Sequence, residues 1–335
     1  MWHVGIDLHR EFVMIAAVSD NGKAMNPVRI SCQESEAIRD ALRALVPFRA
    51  VIEASGTYRW LFDLLCPHGT VLLAHPLRLR AMVQRRSKTD KLDAQLLANL
   101  LRINQIPLAY VPPEPYQQLR ELTRCRARLG QQQAKAKIQL RALLARQNRQ
   151  APYRIPFGPR GLSWFRQQDF GPIENLVRDE LLARLHHHGR HLAILDRHLA
   201  RMQALCPQVE ALTDIHGIGL FSAFLIVAEL GEVERFRTAR QVGAYAGLTA
   251  RVHQSGGHCY CGSITRQGSP WLRWVLVEAA IKVIRGEDTA LKNFYTPVRK
   301  RSSAKIARVA VARKLAEICW KRLRHWQRIH AEQAA

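Results

Sequence analysis

The chain has 335 residues, 47% of them apolar, which is enough for two or three cores and excludes a disordered chain. Lys and Arg outnumber Asp and Glu by 51 to 27; the formal charge of +24 points to a polyanionic partner, DNA or RNA. No run approaches eighteen apolar residues, the early Asp7 and Arg10 are unlike a signal peptide, and seven scattered cysteines fit free thiols, so the expectation is a cytoplasmic protein outside the membrane.

In chain order, residues 2–6 and 12–18 are short apolar runs split by a polar corner, and Asn21-Gly22 supplies a turn before a third run at 28–30. Residues 34–45 carry helical periodicity through Ile38, Leu42 and Leu45. Val51-Ile52 reads as a buried strand ending at Glu53, residues 58–66 as a helix, and 71–74 as a further strand. The order β-β-β-α-β-α-β-α is that of a ribonuclease H-like fold. A last helix is expected from Leu92 onward, with Asp90 and Asp93 at its start.

Asp90 and Asp93 share one helix face, about 4.5 Å apart along the axis. Two readings are open: Thr89 caps the helix and the acids complement its dipole, or the pair holds a divalent cation. Asp7 and Glu53 end the first and fourth strands, where α/β sheets form sites. If those strands pair, four carboxylates converge, and such a cluster needs cations to hold its charge. Two Mg²⁺ ions would resolve the repulsion and clamp a phosphoryl group.

Pro107, Pro112, Pro113 and Pro115 mark a linker. A long basic helix is expected over residues 116–147, with Leu119, Leu122, Leu129, Ala136, Leu140 and Leu143 as its stripe. After a Pro- and Gly-rich break, a second helix runs over 173–205 with Leu176, Leu181, Leu185, Leu192, Leu195 and Leu199 inward. The pair reads as an antiparallel coiled-coil hairpin or a dimerisation arm. Arg120, Arg124, Arg126, Arg128, Lys135, Lys137 and Arg141 have one sign, which favours phosphate contact. The run His186-His187-His188 cannot share one ion well, because consecutive helical residues diverge.

Further on, Ile215-His216-Gly217-Ile218-Gly219 before an apolar helix looks like the hairpin of a helix-hairpin-helix element, its glycines admitting a phosphate; a plain helix-helix turn is the other reading. Residues 245–257 and 262–268 are rich in Gly and hydroxyls and flanked by Arg251 and Arg266. There Ser255 before two glycines is either an ordinary loop residue or an exposed nucleophile needing activation. His253, His258, Cys259 and Cys261 are spaced too tightly for a zinc site of the usual kind. Residues 299–314 form a basic helix suited to a nucleic-acid backbone.

Several of these strings carry a family resemblance. GIDLH (residues 5–9), IEASGTY (52–58), His75-Pro76 and SKTDKLDAQLLA (87–98) closely resemble insertion-sequence transposases with an acidic tetrad and a RuvC-like N-terminal domain, the bridge-RNA-guided recombinases. YAGL at 245–248, SGG at 255–257, GSITRQG at 262–268 and AKIARVAVARKLAEICW at 304–320 resemble that family's second domain. The sequence departs from many members in Ser55 for Thr and Ala250 for Pro.

The resemblance implies a RuvC-like Mg-binding domain over 1–106, a linker and helical hairpin over 107–208, and a mainly helical transposase domain over 209–335. It implies that Asp7, Glu53, Asp90 and Asp93 ligate Mg²⁺ and that Ser255, from the other domain, is the nucleophile that completes the site. DNA, both donor and target, a structured noncoding guide RNA, and a dimer or tetramer are the partners it implies. Nucleic-acid contacts are expected at Arg120, Arg124, Arg128, Lys135, Gly217, Gly219, Arg251 and Arg266. A hydrolytic junction resolvase with Ser255 merely structural, and a non-catalytic nucleic-acid-binding remnant, are the rival readings.

Overall fold

A computed structural model describes residues 1–82, 89–255, 258–286 and 290–334. These form two compact units, Met1–Val111 and Pro112–Ala335.

The first unit contains β1 (Trp2–Leu8), β2 (Phe12–Ser19), β3 (Val28–Ser31), α1 (Ser35–Arg43), β4 (Phe48–Glu53), α2 (Arg59–Leu65), β5 (Thr70–Ala74), α3 (Pro76–Met82) and α4 (Asp90–Arg102). The five strands make one sheet in the order β3-β2-β1-β4-β5. The β1–β2 and β2–β3 pairs are antiparallel, while β1–β4 and β4–β5 are parallel. Tight turns suffice for the meander, whereas each parallel pair needs a crossover, which α1 and α2 provide.

Alternation sorts the strand residues between two faces. Val4, Ile6, Val13, Ile15, Ala50 and Ile52 share a core with Ile38 and Leu42 of α1 and Leu61 and Leu65 of α2. The opposite face puts Met14 and Ala16 against Ala94, and Val51 and Ala74 among Leu79, Leu97 and Leu101. The expected element order holds, with α3 in addition; a seven-residue helix whose one buried side chain is Leu79 leaves too little periodicity to read.

In the second unit come α5 (Glu114–Arg146), α6 (Pro159–Gln167), α7 (Pro172–Met202), α8 (Glu210–Thr213), α9 (Leu220–Leu230), α10 (Ala239–Tyr245), β6 (Ala250–Ser255), β7 (His258–Ile264), α11 (Pro270–Arg285), α12 (Ala290–Arg301) and α13 (Ala304–Ala334). Helices α5 and α7 lie antiparallel: Leu140, Leu143 and Leu144 meet Leu181, Leu182 and Leu185 at one end, and Leu119 and Leu199 share a core at the other. Leu176, expected in the α7 stripe, is 68% exposed, because α6 brings Phe165 to that end of the pair instead.

Every residue from Ala223 to Leu230 is buried, so α9 is a central helix, sharing a core with Leu276 of α11 and Leu315 of α13. Among the described residues no helix is long and apolar enough to cross a membrane. The stretch expected to be a Gly-rich loop is an antiparallel ribbon of β6 and β7.

Candidate functional site

Strands β1 and β4 run parallel with Ile6 opposite Ile52, so Asp7 and Glu53 hold the next positions at neighbouring carboxyl ends. Alternation assigns Gly5 and Asp7, like Val51 and Glu53, to the face that carries α4. That helix lies close on β1 because Gly5 has no side chain. A Cβ there would stand 2.1 Å from the Ala94 carbonyl oxygen and 2.4 Å from the Ala98 nitrogen.

Helix α4 begins at Asp90 with Thr89 as its cap, the threonine Oγ1 accepting the Leu92 N–H at 3.4 Å. Asp90 and Asp93 fill the first turn. The helix start fits the capping reading, with both acids complementing the dipole, and Asp90 also comes within 3.2 Å of His9 just past the end of β1.

The connection is made by His9, which sequence reasoning did not single out. Its Nε2 lies 3.0 Å from Asp7 Oδ2 and 3.2 Å from Asp90 Oδ1. The three potential ligand atoms fall within 4.8 Å of one another, and among the described residues this is the cluster tight enough to hold a cation. The His9 ring stacks on Phe12, with centroids 4.5 Å apart and planes 23° from parallel. Phe12 in turn carries the Arg29 guanidinium 3.9 Å from its centroid. A sequence signal existed: His9 is two residues after Asp7, the spacing that keeps two side chains on one side of an extended chain.

Burial pushes the Asp7 carboxyl above its ordinary value; His9 opposes the shift, while the charges of Asp93 and Asp90 add to it. A buried carboxyl raised by its neighbours is the state a bound cation relieves. Two carboxylate oxygens and an imidazole nitrogen at these separations fit a divalent ion, with Asp7, His9 and Asp90 able to hold it. Glu53 and Asp93 stand outside this triplet. The Asp93 charge nonetheless acts on Asp7.

The basic residues fall into two groups. Arg120 donates to the carbonyls of Ala228 and Glu229 at 2.7 and 2.8 Å. Arg124 grips the Glu229 carboxylate at 2.6 and 3.0 Å, and Ser269 Oγ donates to the same group at 2.8 Å. Glu229 is 1% exposed, so these partners neutralise a buried charge. Any phosphate must compete with those partners for Arg120 and Arg124. Arg128 and Lys135, also on α5, are exposed, as are Arg251 on β6 and Arg266. The local sequence concealed this division because the acidic partner lies more than a hundred residues away.

Gly217 has φ 87°, and a Cβ on it would stand 2.9 Å from the Ala279 carbonyl oxygen, so close packing on α11 accounts for that glycine. Gly219 caps α9 with open space beside it. Ser255 is the last residue of β6 and pairs in register with His258. Its side chain, Gly256-Gly257, the side chains of His258, Cys259 and Cys261, and residues 83–88 lie outside the described residues. Within the ribbon, His253 and Tyr260 stack at 4.9 Å with Tyr260 64% exposed.

Known proteins resemble this chain along both units. Residues 4–148 match a transposase family, the DEDD type of IS110, and residues 209–296 match the transposase IS116/IS110/IS902 family. A probable family 20 transposase of Pseudomonas aeruginosa is 26% identical over 335 residues, covering 95% of each chain. The transposase of insertion sequence element IS1328 from Yersinia enterocolitica is 28% identical over 265 residues, 75% of each chain. The pilin gene-inverting protein of Moraxella bovis is 26% identical over 284 residues, covering 81% of this chain and 78% of its own.

Proposed function

We propose, from the premise that this chain belongs to the IS110/IS116 family of transposases and acts in DNA transposition, that it cuts and rejoins DNA through a serine-linked intermediate with metal-assisted phosphoryl transfer. The observation that supports the metal-assisted half of this reading is the meeting of Asp7, His9 and Asp90 at the end of β1, with Glu53 at the end of the adjacent strand; the serine half rests on the family resemblance. Asp7, Glu53, Asp90 and Asp93 would hold Mg²⁺, which when bound would stabilise charge developing on the phosphate oxygens.

Ser255 Oγ attacks the scissile phosphorus. The Oγ–P bond forms, the P–O3′ bond breaks, the serine proton passes to solvent and the 3′ oxygen leaves as a hydroxyl. Rejoining reverses these steps on a new partner strand, conserving the bond energy. Similarity to a protein named for inverting a pilin gene supports rejoining over cutting alone, since an inversion must reseal what it cuts.

Exposed Arg128, Lys135, Arg251 and Arg266 contact nucleic acid backbone, and Gly219 leaves the α9 N-terminus open to a phosphate. The charge of +24 supports nucleic-acid partners, and the family resemblance adds a structured noncoding guide RNA to donor and target DNA. Cutting several strands together requires a dimer or tetramer.

The test uses an end-labelled suicide DNA substrate and a denaturing gel. Wild type gives a protein–DNA band that Ser255→Ala abolishes and Asp7→Asn strongly reduces. Cleavage by wild type with no such band would instead establish hydrolysis.

A further inference from the structure

We infer that His9 is itself a metal ligand and that its imidazole turns the acidic centre toward Mn²⁺ in preference to Mg²⁺. The inference rests on the reading that these carboxylates hold a divalent cation, and it adds a nitrogen donor to an otherwise all-oxygen set.

Three observations carry it. First, the separations suit coordination: adjacent ligands around an octahedral ion with bonds of about 2.1 Å stand roughly 3 Å apart, and His9 Nε2 lies 3.0 and 3.2 Å from the Asp7 and Asp90 oxygens. Second, the ring is held in place before any ion arrives. It stacks on Phe12, and Phe12 is itself packed under Arg29. A ligand locked by such outer contacts loses little freedom on binding. Third, His9 follows β1 directly and its N–H bonds the Phe12 carbonyl at 3.0 Å, so the backbone of the β1–β2 turn fixes where the imidazole starts.

The chemical consequence concerns which ion binds. Mg²⁺ is hard, keeps several waters and takes oxygen ligands, whereas imidazole nitrogen favours first-row transition ions. Replacing one oxygen position by His9 therefore weakens Mg²⁺ relative to Mn²⁺. A histidine that only bridged two acids by hydrogen bonds would leave the metal sphere all oxygen, a ligand set that suits Mg²⁺ as well as Mn²⁺ and adds no imidazole preference.

The experiment uses the full chain with Mn²⁺ alone as the probe. Binding is followed by loss of the free-ion paramagnetic resonance signal, and the bound ion is examined by electron spin-echo modulation for coupling to imidazole nitrogen. Wild type shows that coupling. His9→Ala loses it and binds Mn²⁺ about 10- to 100-fold more weakly, while Mg²⁺ affinity, measured by competition, changes far less. Should His9→Ala fail to fold by circular dichroism, His9→Ser is read in the same way.

Mn²⁺ bound to wild type without imidazole coupling would overturn the inference and leave the carboxylate centre standing. Coupling that persists in the folded His9 variant would also overturn it, assigning the nitrogen to another residue. Failure of wild type to bind Mn²⁺ or Mg²⁺ at all would remove the metal reading as well.

Discussion

Asp7 concentrates the electrostatic cost of the first unit. Its carboxyl is raised above the ordinary value near 3.8 by burial and by Asp93 and Asp90. A raised folded-state value means its contribution to the stability of the metal-free protein is fully present below the unfolded value. That contribution is lost as pH rises through the folded value. Asp7→Asn should therefore stabilise metal-free protein at neutral pH by on the order of 1 kcal/mol, seen as a higher melting temperature, and abolish the further rise that Mn²⁺ or Mg²⁺ gives wild type. Calorimetry with and without ion checks both halves. Glu229 is the converse case: a buried carboxylate already neutralised, by Arg124 and Ser269. Arg124→Ala leaves that charge uncompensated and should cost about 3–5 kcal/mol in urea unfolding. Asp7 was legible because it ends an apolar run. For His9 only its spacing from Asp7 was legible, and its reach to Asp90 was not, since the fold brings that residue to it.

At the scale of elements, the docking of α4 on β1 decides whether the acids meet. Gly5 faces Ala94 and Ala98, so backbone lies on backbone with no side chain between. Gly5→Ala should cost about 1–3 kcal/mol by forcing the helix outward. It should also weaken Mn²⁺ binding although Gly5 touches no ligand, which titration of the folded variant measures. Helices α5 and α7 show what periodicity conveys and what it omits. Leu140, Leu143, Leu181 and Leu185 were legible as an inward stripe and are buried. Leu176 obeys the same spacing yet is exposed, since a stripe states which residues share a side and not how far the partner reaches. The β6–β7 ribbon was read as a loop because residues 251–254 are all exposed, so no buried face imposes an alternating pattern on the sequence.

Over the whole molecule, the charge of +24 is what remains after every Asp and Glu is counted, so internal pairs such as Arg124–Glu229 leave it untouched. Nucleic-acid affinity should fall steeply with salt, and Arg128→Ala or Lys135→Ala should each reduce the log–log slope by about one. Arg120→Ala should disturb folding more than the slope, because its donors hold Ala228 and Glu229. Filter binding between low and physiological salt, with thermal denaturation alongside, separates these effects. The periods of the first unit's strands and of α5 and α7, the acids ending β1 and β4, and a polyanionic partner were legible in the chain alone, since these depend on near neighbours and on summed composition. Which charges are consumed internally, why Gly5 and Gly217 are glycines, and that an imidazole joins two of the acids follow from packing. Each of those depends on atoms distant in sequence coming within about 3 Å, a condition set by packing and invisible to spacing.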